Sequence, residues 1–483
     1  MKKAADAMKA SAATASAAVE AGNATNAMVT DLKAKIAAVR ALYADPAELT
    51  SLITKAEAEL QYATVGEEMG NIASQDIVDT YTTALADAQG FDLQGALDKT
   101  ALDNVTNTLA SARKAFLDNM VAPVEGKWYY ISSTDQTREG DSYTHGASIF
   151  AEKVGVGSAV RWGANESGEL AGQALAIWRV VPVKDAATPH TVYIQNMGTG
   201  LYLGGESVNL SYVTKLSATP VAFTITYVGN SDLAICATEK NTNNTSLHAQ
   251  VAGKSVVGWY YNMGGVDKDG NPSNTASLWT FNEVNPEEVE GITIPVVAGT
   301  TNIKTLPFAV SGISEVNEGF KAYAIQDITD ANGVSTVSLY MKDNFEAGEP
   351  FILEVPESED SLVDLVAYLP EDVVSTPSSS NGLVGVFATT NVPVGNGYLG
   401  TDGWTAAAEG ATVPAQTGYI NPSKFTGAVA GVTVAKTIQI AGLAGSGLAG
   451  DVNGDGRIDA TDVVTLYNYI ANGTESGVSL EAA

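Results

Sequence analysis

Ala176-Ile-Trp178-Arg-Val-Val-Pro-Val183 is an aromatic residue leading a run of alternating apolar positions. The pattern returns as Val221-Ala-Phe223-Thr-Ile-Thr-Tyr-Val228 and as Ser277-Leu-Trp279-Thr-Phe-Asn-Glu-Val284, 45 and 56 residues further on. A period of two is the signature of a strand with one buried face. Two openings also match, Trp128-Tyr-Tyr130-Ile131-Ser-Ser and Val192-Tyr193-Ile194-Gln-Asn196-Met-Gly-Thr-Gly200-Leu-Tyr202-Leu203. Three pseudo-repeats of about 50 residues predict closed β packing with threefold pseudosymmetry over residues 123–286.

These residues resemble the ricin-type β-trefoil, an accessory lectin module of secreted bacterial glycosidases. Trp178 and Trp279 stand where that family has the tryptophan of Gln-x-Trp, with Ala176 and Ser277 in place of the Gln and Phe223 replacing Trp in the middle repeat. In true lectins a repeat holds sugar with an acidic residue, an aromatic platform and an Asn or Gln. The ring stacks on the sugar's C–H face while polar groups satisfy its hydroxyls. That full set occurs in no single repeat here. The sequence therefore carries the fold further than the binding. The sugar-stacking candidates are Trp162 and Trp259-Tyr260-Tyr261, expected to be exposed between the repeat cores, with Asn196 and Tyr202 from the lectin-like segment. For Trp128, Trp162, Trp178, Trp259 and Trp279 alike, core packing is the commoner role of such an aromatic.

Outward from the repeats, residues 1–122 read as a helical bundle or spacer. Alanine is dense, and apolar residues recur at three and four, as in Met28, Leu32, Ile36, Val39 and Leu42. Asp45-Pro46 breaks one helix, and Pro46 suits the first turn of the next. Further helices are expected at 47–62, 75–88 and 98–119, with Ser74 and Asp98 as N-caps. The region is similar to the alanine-rich helical repeats between modules of large bacterial surface proteins. Pro286-Glu-Glu-Val-Glu290 reads as an acidic linker. Residues 291–440 are again β-rich and sandwich-like, with expected strands at 292–297, 305–310, 319–325, 334–341, 349–354, 383–388, 398–399 and 418–420. Ser375-Thr-Pro377-Ser-Ser-Ser-Asn-Gly382 reads as a polar surface connection. The region is similar to a β module that precedes dockerin-like repeats in secreted proteins of gut and rumen bacteria.

Beyond the flexible Gly442–Gly450 lies Asp451-Val-Asn453-Gly-Asp455-Gly456-Arg457-Ile-Asp459-Ala-Thr461-Asp462. Oxygen side chains fall at positions 1, 3, 5, 9 and 12 of a twelve-residue loop, with glycine at 6, the spacing of an EF-hand-type calcium loop. Ca²⁺ takes six to eight oxygens, so one loop must aim several of them inward. Arg457 would ligate through its backbone carbonyl. Val463, Val464, Leu466, Tyr467 and Ile470 form an apolar face on the helix predicted behind the loop, and Asn472-Gly473 is its stop. The stretch 449–473 looks like a single type I dockerin repeat, which places Asp at position 12. The resemblance implies Asp451, Asn453, Asp455, Asp459 and Asp462 as Ca²⁺ ligands, and Ala460 and Thr461 as contacts to a cohesin-like partner. A dockerin has two such repeats. Residues 449–483 hold one, and the expectation is a chain that stops just before the second.

Composition bounds the function. The 483 residues exceed one core, so several domains are expected. Acidic residues number 55 against 26 basic, a net charge of −29, which argues against nucleic-acid binding and fits anionic lipid poorly. It suits an extracellular, calcium-rich setting. One cysteine, Cys236, rules out an intramolecular disulfide and reads as a small buried hydrophobe. No run of 18 apolar residues exists to span a membrane. Met1-Lys2-Lys3 resembles a signal-peptide start, but no apolar core follows, so the expectation is part of a longer secreted or cell-surface chain. His145, His190 and His248 share no metal-ligand spacing. No Gly-x-Ser-x-Gly, His-Glu-x-x-His or P-loop is present, and Glu357-Ser-Glu-Asp360 reads as a solvated loop, so no catalytic residue is assigned.

The fold class expected is therefore multidomain α+β: a helical bundle, a β-trefoil, a β-sandwich-like domain and half of an EF-hand-like dockerin over 449–483. The function expected is non-catalytic carbohydrate binding with calcium-dependent attachment, in a polysaccharide-degradation protein. Two alternatives stay open: the C-terminal part of a glycoside hydrolase, and a structural cell-surface adhesin.

Overall fold

The computed structural model describes residues 2–42, 45–92, 99–135, 145–164, 170–204, 213–237, 245–285, 291–331, 333–400, 403–443 and 460–472. The chain divides into two compact units. The first is Met1–Val121 with the short segment Tyr227–Ser231, and the second is Ala122–Thr226 with Asp232–Ala483.

The first unit holds α1 (Lys2–Glu20), α2 (Asn26–Leu42), α3 (Ala47–Gln61), α4 (Gln75–Gln89) and α5 (Lys99–Asp118). The alanine-rich α1 and α2 pack on each other, and α3, α4 and α5 pack mutually. Pro46 stands at the N-cap of α3, one residue earlier than expected. Ser74 caps α4 by position, in extended backbone, but its hydroxyl makes no cap hydrogen bond. Asp98 lies outside the described residues. Leu49, Ala56, Tyr81, Leu85, Leu102, Leu109 and Phe116 are buried between α3, α4 and α5, with Tyr81 and Phe116 rings 5.0 Å apart.

A buried carboxylate joins these three helices. Glu59 of α3 accepts from Arg113 of α5 (Nη2 to Oε1, 2.6 Å; Nε to both oxygens, 3.1 Å) and from the Tyr81 hydroxyl of α4 (2.7 Å). The Tyr227 hydroxyl donates to the Glu59 backbone carbonyl at 3.1 Å. Burial, reinforced by the Glu59 charge, pushes the Tyr81 and Tyr227 hydroxyls far above their ordinary range. Burial alone would depress Arg113, but its bond to Glu59 more than offsets this and holds the guanidinium charged.

Residues 129–283, all but Tyr227–Ser231 in the second unit, form twelve strands in three sets of four. The first set is β1 (Tyr129–Ser133), β2 (Ala147–Ala151), β3 (Val160–Ala164) and β4 (Trp178–Pro182). The second is β5 (Thr191–Asn196), β6 (Tyr202–Leu203), β7 (Leu216–Ser217) and β8 (Phe223–Gly229). The third is β9 (Asp232–Ala237), β10 (Thr245–Gln250), β11 (Ser255–Tyr260) and β12 (Trp279–Glu283). Pairing closes a ring β1-β4-β5-β8-β9-β12 and back to β1, a six-stranded barrel without free edges. The remaining strands pair as hairpins, β2–β3, β6–β7 and β10–β11.

The aromatics of the repeated sequence open the last strand of each set. Trp178, Phe223 and Trp279 are all fully buried. Trp178 Nε1 donates to the Ile149 carbonyl of β2 (3.0 Å), and Trp279 Nε1 to Leu247 of β10 (2.7 Å). Each indole thus plugs the barrel and ties it to a hairpin while spending its one polar atom. Ala176 and Ser277 lie in short 3-10 turns and are fully buried. Cys236 is fully buried in β9.

Residues 292–441 add β13 (Ile292–Val297), β14 (Thr301–Thr305), the short α6 (Ile313–Val316), β15 (Lys321–Ala331), β16 (Val334–Met341), β17 (Pro350–Glu354) and β18 (Leu362–Ala367). They continue with β19 (Ser379–Ser380), β20 (Leu383–Val386), β21 (Thr390–Asn391), β22 (Gly397–Gly400), β23 (Gly403–Ala406), β24 (Thr412–Val413), β25 (Thr417–Ile420) and β26 (Lys436–Ala441). One five-stranded sheet runs β14-β17-β15-β16-β26, a second runs β19-β20-β25-β22-β23, and β13 pairs with β18.

Around β15 and β17 the first of these sheets is buried on both faces. Along β15, Ala322 and Ala324 enter one apolar cluster while Tyr323 and Ile325 enter another. Along β17, Phe351 and Leu353 side with the first and Ile352 with the second. The second cluster lies against Leu383 and Ile420 of the other sheet. The first includes Trp128, Ile177, Met197 and Val284, so one core runs through residues 128–373. Arg179 reinforces the join. Its guanidinium lies 5.3 Å from the Trp128 ring centroid, pairs with Asp372, and donates to Gln195 and to the Val373 carbonyl.

Two expectations change. Residues 306–310 form no strand; Leu306, Phe308 and Val310 are buried in irregular backbone, with Val310 in an isolated bridge to Phe345. The polar stretch 375–382 contains β19, an edge strand paired with β20, and Ser380 donates to the buried Glu349.

Candidate functional site

Two regions hold the residues singled out from sequence. The first is α7 (Ala460–Asn472), ending where Asn472-Gly473 predicts. Its composition favours a helix with one apolar stripe, at 463, 466, 467 and 470, the spacing of one helical face. That stripe is open to solvent: Val463 is 68% exposed, Tyr467 70% and Ile470 74%. Ala460 and Thr461, at the start of α7, are exposed as well.

Asp451, Asn453, Asp455, Arg457 and Asp459 lie outside the described residues, and Asp462 is the third residue of α7. Among the described residues no group of three or more His, Cys, Asp or Glu is placed to hold a metal. The donor set itself fits Ca²⁺. It offers carboxylate and carboxamide oxygens and one carbonyl, with no sulfur or imidazole to favour zinc.

The second region is the outer surface of the barrel and its hairpins. Here the sequence-based candidates separate. Trp162, expected exposed, is 5% exposed, and its Nε1 donates to the Gln250 carbonyl at 2.7 Å. Tyr261, also expected exposed, is buried. Asn196 is fully buried and fully committed. Its Nδ2 donates to the Leu175 and Ile177 carbonyls, and its Oδ1 accepts from Thr199 N and Oγ1. The lectin-like turn it holds is also covered. A Cβ on Gly200, at φ +67°, would lie 2.7 Å from the Val374 carbonyl oxygen and 2.9 Å from Pro307. Gln416 donates to the Gly198 carbonyl. The 196–200 turn is therefore packing, and these three side chains are unsuited to sugar stacking or sugar hydrogen bonding.

Trp259, Tyr260 and Tyr202 keep accessible area. Tyr260 is 39% exposed, and Trp259 is half-buried with its ring centroid 6.1 Å from Tyr260 and 5.9 Å from His248. Tyr202 is half-buried, edge-on to Tyr193 at 6.2 Å. Sequence reading left His248 isolated. Its place beside Trp259 follows from the β10–β11 register, Ser246 opposite Trp259 and His248 opposite Val257, which no residue spacing announces.

Behind this surface lie two titrating groups with opposite shifts. Burial lowers His248 to about 4 although Asp135 partly opposes this, and its Nδ1 is 2.9 Å from Ser277 Oγ. Burial raises Asp232 to about 6; Thr134 lies close enough to moderate the rise, although its hydroxyl makes no well-formed hydrogen bond. The signs oppose. His248 binds protons more weakly folded than unfolded, so its contribution is complete above pH 6.5 and is lost as pH falls towards 4. Asp232 binds them more tightly folded, so its contribution is complete below pH 3.8 and is lost as pH rises through 6. Each is worth on the order of 2–3 kcal/mol across the window, and the two nearly cancel. Asp232→Asn is therefore expected to make stability rise between pH 4.5 and 6.5, and His248→Gln to make it fall, in urea titrations at stepped pH. Parallel profiles for both variants and the parent would contradict the two assignments.

Comparison with known proteins places the C-terminal segment. Residues 449–483 match the family described as Dockerin type I domain. No curated protein matches the chain. Among solved structures the chain is similar to one described as "PSL1a-E64 complex", at 17% identity and TM-score 0.22 over 32% of this chain and 47% of that one. It is also similar to the GlcNAcα1-4Gal releasing endo-β-galactosidase from Clostridium perfringens, at 16% identity and TM-score 0.24 over 33% of each chain. A third, "BEL beta-trefoil apo crystal form 3", is 12% identical with TM-score 0.23 over 34% of this chain and 96% of that one. The chain thus spans less than half the length of the first two. Among the described residues no helix is long and apolar enough to cross a membrane.

Proposed function

We propose that the protein is a non-catalytic attachment and carbohydrate-contacting portion of a secreted or cell-surface polysaccharide-degradation protein. One observation carries the reading. Behind a loop of hard oxygen donors, within the segment that matches the type I dockerin domain, α7 presents Val463, Val464, Leu466, Tyr467 and Ile470 to solvent. A contiguous exposed apolar stripe of this kind supports a surface that docks on a partner.

In this reading Asp451, Asn453, Asp455, Asp459, Asp462 and the Arg457 carbonyl hold Ca²⁺. Bound, the ion would supply the positive charge that lets several carboxylates share one loop. Ala460, Thr461 and the stripe of α7 then meet a cohesin-like domain. Residues 123–286 act as a ricin-type β-trefoil; the closed six-stranded ring and three hairpins support this. Trp259, Tyr260 and Tyr202 are the side chains there suited to stack on a glycan. Residues 291–440 serve as a sandwich-like support, and residues 1–122 as a helical spacer.

The experiment is a binding titration of the intact chain against a panel of type I cohesin domains, with Ca²⁺ and with excess chelator. Binding to at least one cohesin is expected with Ca²⁺, lost with chelator and weakened about tenfold or more by Tyr467→Glu. Binding indifferent to chelator, or none across the panel, would refute the attachment reading.

A further inference from the structure

A second polar site lies on the barrel wall, away from Trp259 and Tyr260. A pocket of about 330 Å³ opens beside β1 and β12, lined by Ser132, Thr134, His145, Gly146, Thr280 and Asn282 among others. This is the lower end of the range for small-molecule sites. Among the described residues, no Asp, Glu, Lys or Arg lines it.

The hydrogen bonds around the pocket fix what it can offer. Ser132 is spent: its hydroxyl bonds to Ser148 Oγ at 2.8 Å and accepts from Asn282 Nδ2 at 3.1 Å. That bond orients the Asn282 carboxamide, and its Oδ1 makes no hydrogen bond among the described residues. His145 Nδ1 lies 2.8 Å from the Asp135 carbonyl oxygen, which can only accept. The neutral ring therefore carries its proton on Nδ1, leaving Nε2 as an acceptor. The Thr134 hydroxyl is buried near Asp232 and makes no well-formed hydrogen bond among the described residues. Thr280 pairs with Ser132 across the strands, so its hydroxyl can both give and take a bond at the pocket wall.

We infer that this pocket binds a neutral, hydroxyl-rich ligand, of which a single sugar residue is the natural class. The lining combines two acceptors with no donor among the described residues, Asn282 Oδ1 and His145 Nε2, with hydroxyls that donate or accept. Sugar hydroxyls, each donor and acceptor at once, match such a set. A phosphate or carboxylate matches it less well, since no Lys or Arg among the described residues lines the pocket to neutralise it. The site shares no residue with the aromatic surface of β11.

The probe is a panel of methyl glycosides titrated into the intact chain, followed by saturation-transfer NMR. Saturable binding of at least one glycoside is expected, weakened about tenfold or more by Thr280→Val and by Asn282→Ala. Asn282 is exposed and Thr280 half-buried, so both variants keep the core; an unchanged amide spectrum checks this. The double variant Trp259→Ala/Tyr260→Ala is expected to leave this binding in place. Loss in that double variant alone would overturn the pocket while leaving glycan contact at β11 intact. No saturable glycoside, binding that survives both pocket substitutions, or displacement by inorganic phosphate would also overturn it.

Discussion

Trp279→Ala is expected to lower the unfolding free energy of the β unit by about 4–8 kcal/mol. Two losses combine. The indole is fully buried at the start of β12, and deleting a buried Trp costs about 3–5 kcal/mol through lost transfer and the cavity left behind. The Leu247 carbonyl also loses its 2.7 Å donor, at about 1–3 kcal/mol for a buried group left unsatisfied. Trp279→Phe separates the two. It keeps most of the apolar volume, as Phe223 does at the equivalent place in the middle repeat, and should cost about 1–3 kcal/mol. Urea unfolding followed by fluorescence and circular dichroism gives both numbers. An alanine variant within about 1 kcal/mol of the parent would mean the barrel is not closed around this residue.

In the helical unit the largest effect is expected at Glu59. Glu59→Ala strands the Arg113 guanidinium and the Tyr81 hydroxyl among α3, α4 and α5, and should cost about 3–5 kcal/mol. The buried pair does not itself imply a stabilising contribution, because desolvation offsets most of its attraction. The triple variant Glu59→Leu, Tyr81→Phe, Arg113→Leu removes all three polar partners together and should fall within about 1–2 kcal/mol of the parent. Hydrogen exchange of α4 and α5 amides, which open with their own unit, reads both. Additive costs across the three single variants would contradict a shared network.

What the sequence could tell was set by range. Local signals were legible: α3 and α4 nearly to the residue, and β13 and β16 at their observed ends. The repeated aromatics announced the barrel because each opens a strand and fills the same buried place. β18 was missed because Leu362–Ala367 follows the charged run Glu357–Asp360, which reads as loop. β26 was missed because its Lys436-Thr-Ile-Gln-Ile alternation falls at the expected domain boundary. β15 and β17 show little apolar–polar alternation because each face meets a different core.

Site residues were harder, since exposure is a property of what packs above them. Nothing in Asn196–Gly200 says that Pro307, Val374 and Gln416, more than a hundred residues on, close over that turn. Trp162 likewise gives no local sign of its bond to Gln250. The partnership of Ser132, His145 and Asn282 joins three separate places in the chain. Five apolar residues at helical spacing on α7 were legible; their exposure was not.

If Asp451–Asp462 is a Ca²⁺ loop that sets up α7 for attachment, as proposed, the chain takes up the ion there. Calorimetric titration of Ca²⁺ into the intact chain tests it most directly. The expected result is a saturable Ca²⁺ site that is abolished by Asp451→Ala, with the barrel and helical units unfolding as before. An isotherm unchanged by Asp451→Ala would contradict it.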